Sequence, residues 1–296
     1  MNRLLLFSLI FTAFSAQAIE FNANRTYQDV TNAIHNIALK YPKSTQVINI
    51  GMSDGGIAIE GLQIGQGDVH NLLVATHHGN EYGSTELALG FAESMAQAPI
   101  PGQTMFIIPV LNIDGFNNRN RYERVNGSNI DPNRNYPGPC GTEGPFTLKS
   151  TSALARFVEA QNIIASSTIH TYWPAVVYPW GNSTHDINTP YTSKFSELAQ
   201  AATSVSHYQT GNSTDVIYPA DGTFEDYAYW QHGIWSLLFE VGNSHNPNTT
   251  DIKKLVAVNV PGLRKFYEIA PTTRAPKHSF DGKCSAALKA LDLHIE

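Results

Sequence analysis

The chain has 296 residues, of which 42% are hydrophobic and only 15% are charged. This composition is typical of a globular protein and excludes a disordered one, and the length is enough for one substantial core. The net charge of −6 argues against nucleic acid or an anionic membrane as the main partner.

The N-terminal residues have the pattern of a secretory signal peptide. Arg3 supplies a positive charge, Leu4–Phe14 is an apolar run, and Ala16-Gln17-Ala18 offers a small-x-small cleavage site. We therefore expect a secreted or periplasmic protein, with a signal peptide over 1–18, one domain over 19–270 and a tail over 271–296. Later apolar runs are too short to span a membrane. Cys140 and Cys284 could pair in an oxidising compartment, which the sequence leaves open.

The pattern of apolar residues predicts alternating helices and strands. A first helix is predicted over Tyr27–Tyr41 with Thr26 as its N-cap. Short runs rich in Val and Ile predict buried strands at Gln46–Ile50, Ile57–Ile64, Asn71–Thr76, Thr104–Val110, Ile163–Ile169 and Ile234–Val241. Further helices are predicted at Ser84–Ala96, Ser150–Ala160, Thr192–Val205 and Asp251–Ile269, the last kinked or interrupted by Pro261. This alternation predicts an α/β sandwich around a mixed sheet.

A candidate metal site follows the predicted strand Asn71–Thr76. His78 and Glu81 form an H-x-x-E pair at the end of that strand, where open α/β sheets bind ligands. An imidazole and a carboxylate so spaced can both bind one Zn²⁺, and His170, at the end of another predicted strand, is the best third ligand. Taken alone, H-x-x-E is weak, because a chain with eleven histidines often contains it by chance.

Four motifs together resemble the M14 metallocarboxypeptidases, the zinc carboxypeptidase family. They are H-G-N-E at 78–81, D-P-N-R-N at 131–135, I-H-T-Y at 169–172 and F-E-V at 239–241, in the family's order. The resemblance extends from about Tyr27 to about Ile269, and the H-G-N-E form is closer to the regulatory and bacterial branches. It implies a three-layer α/β/α sandwich around a mixed, mostly parallel, twisted sheet.

The resemblance also implies the catalytic roles. His78, Glu81 and His170 would hold one Zn²⁺, and Glu240 would be the general base that moves a proton from water to the leaving amine. Arg124 resembles the arginine that stabilises the oxyanion, although Arg119 and Arg121 lie in the same polar loop.

Further matching positions concern orientation and substrate binding. Asp131 would accept the N–H of a ligand histidine. Asn133 and Arg134 would bind the terminal carboxylate of the substrate, since an arginine fork fits a carboxylate. Tyr218 would close over that carboxylate.

Substrate preference depends on the base of the pocket for the C-terminal side chain, the S1′ pocket. Glu225 stands where the family places this residue, and a carboxylate there would favour Lys, Arg or the ammonium of diaminopimelate. A shift of one residue would instead place Phe224 there and favour apolar C-termini.

The sequence thus predicts a secreted, monomeric zinc carboxypeptidase that acts on peptides with a free C-terminus. The main alternative is a murein peptide amidase or carboxypeptidase that acts on diaminopimelate-containing cell-wall peptides. A non-catalytic module that binds C-termini would be expected to lack a metal ligand or the base. A structural secreted protein would use the Asn-x-Ser/Thr sequences only as glycan sites.

Overall fold

A computed structural model describes residues 19–141, 144–182, 188–277 and 280 of the chain. The predicted signal peptide lies outside these residues, and so does Cys284. Cys140 is disulfide-bonded, and the chain has only two cysteines. None of the described helices is both long and apolar enough to span a membrane.

Ten strands and eight α-helices make up the described fold. The strands are β1 Thr45–Met52, β2 Ala58–Gly65, β3 Val69–Ala75, β4 Gln103–Ile108, β5 Glu123–Val125, β6 Ser128–Ile130, β7 Ala165–His170, β8 Ala175–Tyr178, β9 Gln209–Asn212 and β10 Trp235–Glu240. The helices are α1 Tyr27–Lys40, α2 Tyr82–Gln97, α3 Ile113–Asn118, α4 Lys149–Ala160, α5 Thr192–Ala202, α6 Ser213–Val216, α7 Phe224–His232 and α8 Thr249–Ile269. A 3₁₀ turn spans Pro132–Arg134.

Eight strands form one mixed sheet, in the order β1-β2-β4-β3-β7-β10-β8-β9. Its centre is parallel, because β3 pairs in parallel with both β4 and β7, and β7 pairs in parallel with β10. The carboxyl ends of these central strands therefore lie at one edge of the sheet. The mixed α/β fold agrees with the predicted class.

The sheet is buried between helices, which explains the apolar runs of the central strands. β3 and β10 contribute Leu72–Ala75 and Leu237 to a core that the helices cover. α1 begins at a capping box formed by Thr26 and Asp29, and it buries Val30, Ile34 and Ile37 at helical spacing.

Several elements differ from the sequence predictions, which did not include α3, α6, α7, β5, β6, β8 or β9. α8 continues through Pro261 from Thr249 to Ile269, so the predicted interruption is wrong. Pro261 and Ala257 are both exposed, so water can bond the carbonyl that the proline leaves unpaired. α7, which carries Glu225, was not predicted, although Thr223 caps its first turn and Gly233 ends it in the left-handed conformation.

Candidate active site

Three side chains converge at the carboxyl edge of the central strands. His78 and Glu81 lie in the turn between β3 and α2, and His170 is the last residue of β7, the parallel neighbour of β3. His78 Nδ1 lies 2.6 Å from Glu81 Oε1, and His170 Nδ1 lies 3.1 Å from Glu81 Oε2. The two Nδ1 atoms are 3.3 Å apart. The fold therefore brings together all three predicted metal ligands.

The chemistry of this donor set fits a catalytic zinc ion. One potential donor atom from each residue lies within 4.8 Å of the others, and all three residues are buried. Two imidazoles and one carboxylate are a known catalytic zinc set, which leaves a coordination position for water or substrate. His78, Glu81 and His170 are thus the residues that would hold the metal.

Asp131 orients the first of these ligands. Its Oδ1 lies 3.1 Å from His78 Nε2, so this N–H points to Asp131 while Nδ1 faces the other ligands. Asp131 Oδ1 also accepts a hydrogen bond of 2.8 Å from the backbone N–H of Asn133. Although burial opposes its charge, the neighbouring His78 and Arg121 hold the pKa of Asp131 well below its usual range.

The arginine that reaches the metal ligands is Arg121. Its Nε and Nη2 donate to Asp131 Oδ2 at 3.0 and 2.8 Å, and its Nη1 lies 3.2 Å from His78 Nδ1. Arg124, which we predicted in this place, is exposed on β5 and pairs across the hairpin with Asn129. The assignment therefore moves to Arg121. Asn126-Gly127 was the missed signal, because a turn there puts Arg124 near the tip of a β5–β6 hairpin.

Glu240 ends β10 beside this cluster and lines the same cavity as His78 and His170. Its Oε2 is buried and has no hydrogen-bond partner among the described residues. Burial, together with the neighbouring Glu81 carboxylate, raises the pKa of Glu240 well above its ordinary value, although Arg121 lowers it. An unpartnered carboxylate oxygen in a cleft is suited to accept a proton.

Asn133 and Arg134 face the cavity from the 3₁₀ turn after Asp131. Asn133 Oδ1 accepts from the backbone N–H of Phe224 at 2.9 Å, which directs Nδ2 to within 3.5 Å of His170 Nε2. When His170 binds a metal through Nδ1, its Nε2 carries the proton and cannot accept from Asn133. Asn133 Nδ2 then remains a donor for a substrate.

Arg134 and Tyr218 both line the cavity and contact each other. Arg134 Nη2 donates to the Tyr218 hydroxyl at 3.3 Å, and Nη1 donates to the carbonyl of Asn133 at 2.8 Å. A cation and a hydroxyl placed together in this way can bind a carboxylate.

Glu225, rather than Phe224, lines the cavity. Glu225 Oε1 accepts from the Thr168 hydroxyl, and within the described part of the chain its buried Oε2 has no hydrogen-bond partner. The Phe224 ring is fully buried, with its centroid 5.3 Å from that of Tyr136 and 5.9 Å from that of His77. The first turn of α7 therefore directs the two side chains to different places.

Asp226 is not among the lining residues, but it binds Gly181, which is. Both of its carboxylate oxygens accept from the backbone N–H of Gly181, at 3.1 and 3.0 Å. Burial raises the pKa of Asp226 to about 8. Gly181 itself lines the cavity, and a side chain there would collide with Ser213.

His77, for which the sequence predicts no role, contacts the metal ligand His170. It is fully buried, its ring stacks on His170 with a centroid distance of 5.6 Å, and its Nε2 lies 3.0 Å from the Tyr136 hydroxyl. Its position directly before His78 was the available signal.

Fold and site together define an α/β protein in which, among the residues that the structure describes, one buried cluster of zinc-type ligands lies at the carboxyl edge of the sheet. The chain belongs to the zinc carboxypeptidase family, peptidase family M14, whose model matches residues 30–262. This confirms the family that the motifs predicted. Zinc, the metal of this family, agrees with the predicted cofactor.

Known relatives agree with this membership. Human carboxypeptidase B is 31% identical over 169 residues, which are 46% of this chain and 40% of the relative. Mouse carboxypeptidase A1 is 23% identical over 273 residues, 77% of this chain and 65% of the relative. The chain thus matches less than two thirds of the length of either relative.

Solved structures share the fold. Bovine thrombin-activatable fibrinolysis inhibitor superposes with a TM-score of 0.73 at 19% identity, over 82% of this chain and 95% of the other. Carboxypeptidase A from Helicoverpa armigera superposes with a TM-score of 0.74 at 18% identity, over 83% of this chain and 73% of the other. Murein-tripeptide amidase from Escherichia coli O157 superposes with a TM-score of 0.54 at 15% identity, over 78% of this chain and 94% of the other.

Proposed function

We propose that this protein is a secreted metallocarboxypeptidase that hydrolyses the C-terminal peptide bond of peptides. The observation that carries the proposal is the pairing of Arg134 with Tyr218 in the cavity that also contains His78, His170 and Glu240. A binding site for a terminal carboxylate next to a metal site selects the last peptide bond, since the carboxylate fixes the distance to the scissile carbonyl.

Each side chain has one task in this mechanism. Arg134, Asn133 Nδ2 and the Tyr218 hydroxyl bind the terminal carboxylate of the substrate. Zinc, when bound, supplies Lewis acidity to the scissile carbonyl and lowers the pKa of a water molecule. Glu240 accepts a proton from the attacking water through its unpartnered Oε2 and donates a proton to the leaving amine. The Arg121 guanidinium stabilises the negative charge on the carbonyl oxygen.

Glu225 would determine the preference for the C-terminal residue. Its carboxylate lies on the cavity wall with one oxygen unpartnered by any described residue. A Lys or Arg side chain would neutralise this buried group, whereas an apolar side chain would leave it unpaired. We therefore propose a preference for basic C-terminal residues.

The same carboxylate supports a second candidate function. The far end of a diaminopimelate side chain also carries an ammonium, next to a carboxylate, so cell-wall peptides that end in diaminopimelate would offer Glu225 a cation as well. The structural similarity to a murein-tripeptide amidase concerns the fold alone.

Secretion is supported by two independent features. The first eighteen residues have the order of charge, apolar run and cleavage site expected of a signal peptide. Cys140 is disulfide-bonded, which is typical of proteins in oxidising compartments.

A peptide panel tests the proposal. Zinc-loaded protein would be incubated with peptides that differ only in a C-terminal Lys, Arg, Phe, Leu or Glu, each with an amidated control, and with a muropeptide ending in diaminopimelate. We expect release of Lys and Arg from free C-termini only. Release from the muropeptide alone would favour the second candidate, and release of Phe and Leu in preference to Lys would contradict the role of Glu225.

A further inference from the structure

Glu123 is a buried carboxyl that the mechanism above does not use. It is the first residue of β5, it is 0% exposed, and it comes two residues after Arg121 in the sequence. A carboxyl removed from water is costly unless it has partners or is neutral. Its partners therefore indicate what it does.

These partners join three parts of the chain at one side chain. Glu123 Oε2 accepts from the Ser150 hydroxyl at 2.6 Å, in the first turn of α4. Glu123 Oε1 accepts from the backbone N–H of Asp54 at 3.3 Å, in the turn between β1 and β2. Asp54 in turn accepts from the backbone N–H of Lys149 at 2.7 Å. The start of β5 is thus fixed to both the turn and the helix.

The Arg121 backbone is bound both to the metal-binding turn and to the N-cap of α3. Its carbonyl accepts from the backbone N–H of Gly79 at 3.3 Å and from Asn112 Nδ2 at 3.2 Å. The segment 121–123 therefore bridges the metal site at one end and the Glu123 contacts at the other. A displacement of β5 would move the Arg121 guanidinium away from His78 and Asp131.

We propose that Glu123 is a positioning residue for Arg121, because it fixes β5 to the β1–β2 turn and to the first turn of α4. The proposal rests on the function proposed above, in which Arg121 stabilises the oxyanion. Glu123 does not touch the substrate; it acts through Arg121.

The charges around Glu123 favour its neutral form. Burial raises the pKa of Glu123 to about 8, and the carboxylates of Asp54 and Asp114 add to this, while hydrogen bonds from Ser150 and from the Asp54 backbone oppose it. In the neutral form, protonated Oε2 donates to the Ser150 oxygen, as a carboxamide N–H would, while Oε1 accepts from the Asp54 N–H in both cases. Glutamine should therefore replace Glu123 with little loss, and leucine should not.

The test compares Glu123→Gln and Glu123→Leu in the zinc-loaded full chain. We expect Glu123→Leu to lower kcat by about 10- to 100-fold, as for a misplaced catalytic group, with KM and zinc content near wild type. Glu123→Gln should retain kcat within about twofold, since only the proton differs. Glu86→Gln, a change at a buried carboxyl paired with Arg25, is the matched control and should also retain kcat.

A second readout does not depend on substrate. The ¹⁵N–¹H NMR signal of Arg121 Nε should move in Glu123→Leu and remain in place in Glu123→Gln. This readout separates the two proposals. If the wild-type protein had no peptidase activity, the proposed function would be refuted, but the Arg121 Nε signal would still show whether Glu123 positions Arg121. Unchanged kcat and signal in Glu123→Leu, or equal damage in both variants, would overturn the inference.

Ser150→Ala covers the case in which Glu123→Leu does not fold. It removes only the 2.6 Å hydrogen bond to Glu123, so it should lower kcat less than the leucine variant and shift the Arg121 Nε signal in the same direction. A wild-type signal and kcat in Ser150→Ala would contradict the proposal.

Discussion

The two halves of the cavity differ in the state of their buried carboxylates. In the metal half, defined by His78, Glu81, His170 and Asp131, every oxygen of the two acidic side chains has at least one polar neighbour. In the pocket half, defined by Glu225 and Glu240, each side chain buries one oxygen that lacks a hydrogen-bond partner within the described residues.

In the metal half, the protein itself supplies the polar partners of the carboxylate oxygens. In the pocket half, a substrate would supply the partners that are missing. Full satisfaction of buried polar groups makes a site rigid, which suits metal ligands. Unsatisfied buried oxygens cost stability and persist where function uses them. Changes in the metal half should therefore affect zinc binding, whereas changes in the pocket half should affect turnover and selectivity.

The largest effect is expected for Glu240→Gln. Glutamine cannot accept and return a proton, so kcat should fall by about 10⁴-fold while zinc content stays near one ion per chain. Steady-state kinetics and elemental analysis of the same preparation would measure both. Glu268→Gln, at a partly exposed side chain on α8, is the control. Retention of most activity would remove Glu240 from its proposed role.

Arg121→Ala should have the next largest effect. Loss of the guanidinium next to the metal ligands should lower kcat by about 10²- to 10³-fold, as for other oxyanion donors. Arg124→Ala, three residues further along the same segment, is a matched control, and its exposed position on β5 predicts nearly unchanged kcat. A large loss of kcat in Arg124→Ala, with kcat nearly unchanged in Arg121→Ala, would contradict the assignment of this role to Arg121.

Glu225→Gln should change selectivity more than overall activity. Without the negative charge, kcat/KM for peptides ending in Lys or Arg should fall by about 10- to 100-fold, the scale of a lost buried ion pair. The value for peptides ending in Leu should stay level or rise. Parallel losses for both classes of peptide would show that Glu225 acts on something other than the C-terminal side chain.

Asp131→Asn tests the metal half directly. An amide cannot accept from His78 Nε2 as strongly as a carboxylate, so the affinity for zinc should fall by about 10- to 100-fold. Competition with a chelator of known affinity would measure it. Asp215→Asn serves as the control, since Asp215 lies on α6 and its carboxylate accepts a hydrogen bond from the Asn212 side chain. Unchanged zinc affinity would argue against an orienting role of Asp131.

The last prediction concerns the pH dependence of stability and not turnover or zinc binding. Because the folded-state pKa of Glu123, about 8, lies above its ordinary value of 4.5, the folded state binds the proton more tightly than the unfolded chain does. The stabilisation is therefore complete below the ordinary value and is lost as pH rises towards 8 and beyond. Wild-type Tm should fall with rising pH more steeply than that of Glu123→Gln. Parallel curves would contradict the assigned pKa.

The sequence was sufficient for the central strands and the metal ligands. β3 and β10 are mostly apolar, and β7 is fully buried although it contains Ser166, Ser167 and Thr168. His78 and His170 stand at or just beyond the ends of β3 and β7, where strand order predicted them to meet, and the resemblance of F-E-V added Glu240 at the end of β10. Those positions follow from the backbone alone.

Other features depended on tertiary contacts. Three arginines share the polar loop 119–124, and only contacts with Asp131 distinguish Arg121 from Arg124. β8 and β9 are four residues each, which is too short for a pattern to be recognised. α7 is rich in aromatic residues and weakly amphipathic, so its sequence has no clear helical period. The side of the helix on which Glu225 lies could therefore not be predicted.

Recognition of the free C-terminus is tested most directly with one peptide in two forms, with a C-terminal lysine that is either free or amidated. The products of zinc-loaded protein would be followed by mass spectrometry, with and without a chelator. We expect loss of a single lysine from the free form only, abolished by the chelator and restored by added zinc. Equal cleavage of both forms, or none with one zinc bound per chain, would contradict a carboxypeptidase that binds the terminal carboxylate through Arg134 and Tyr218.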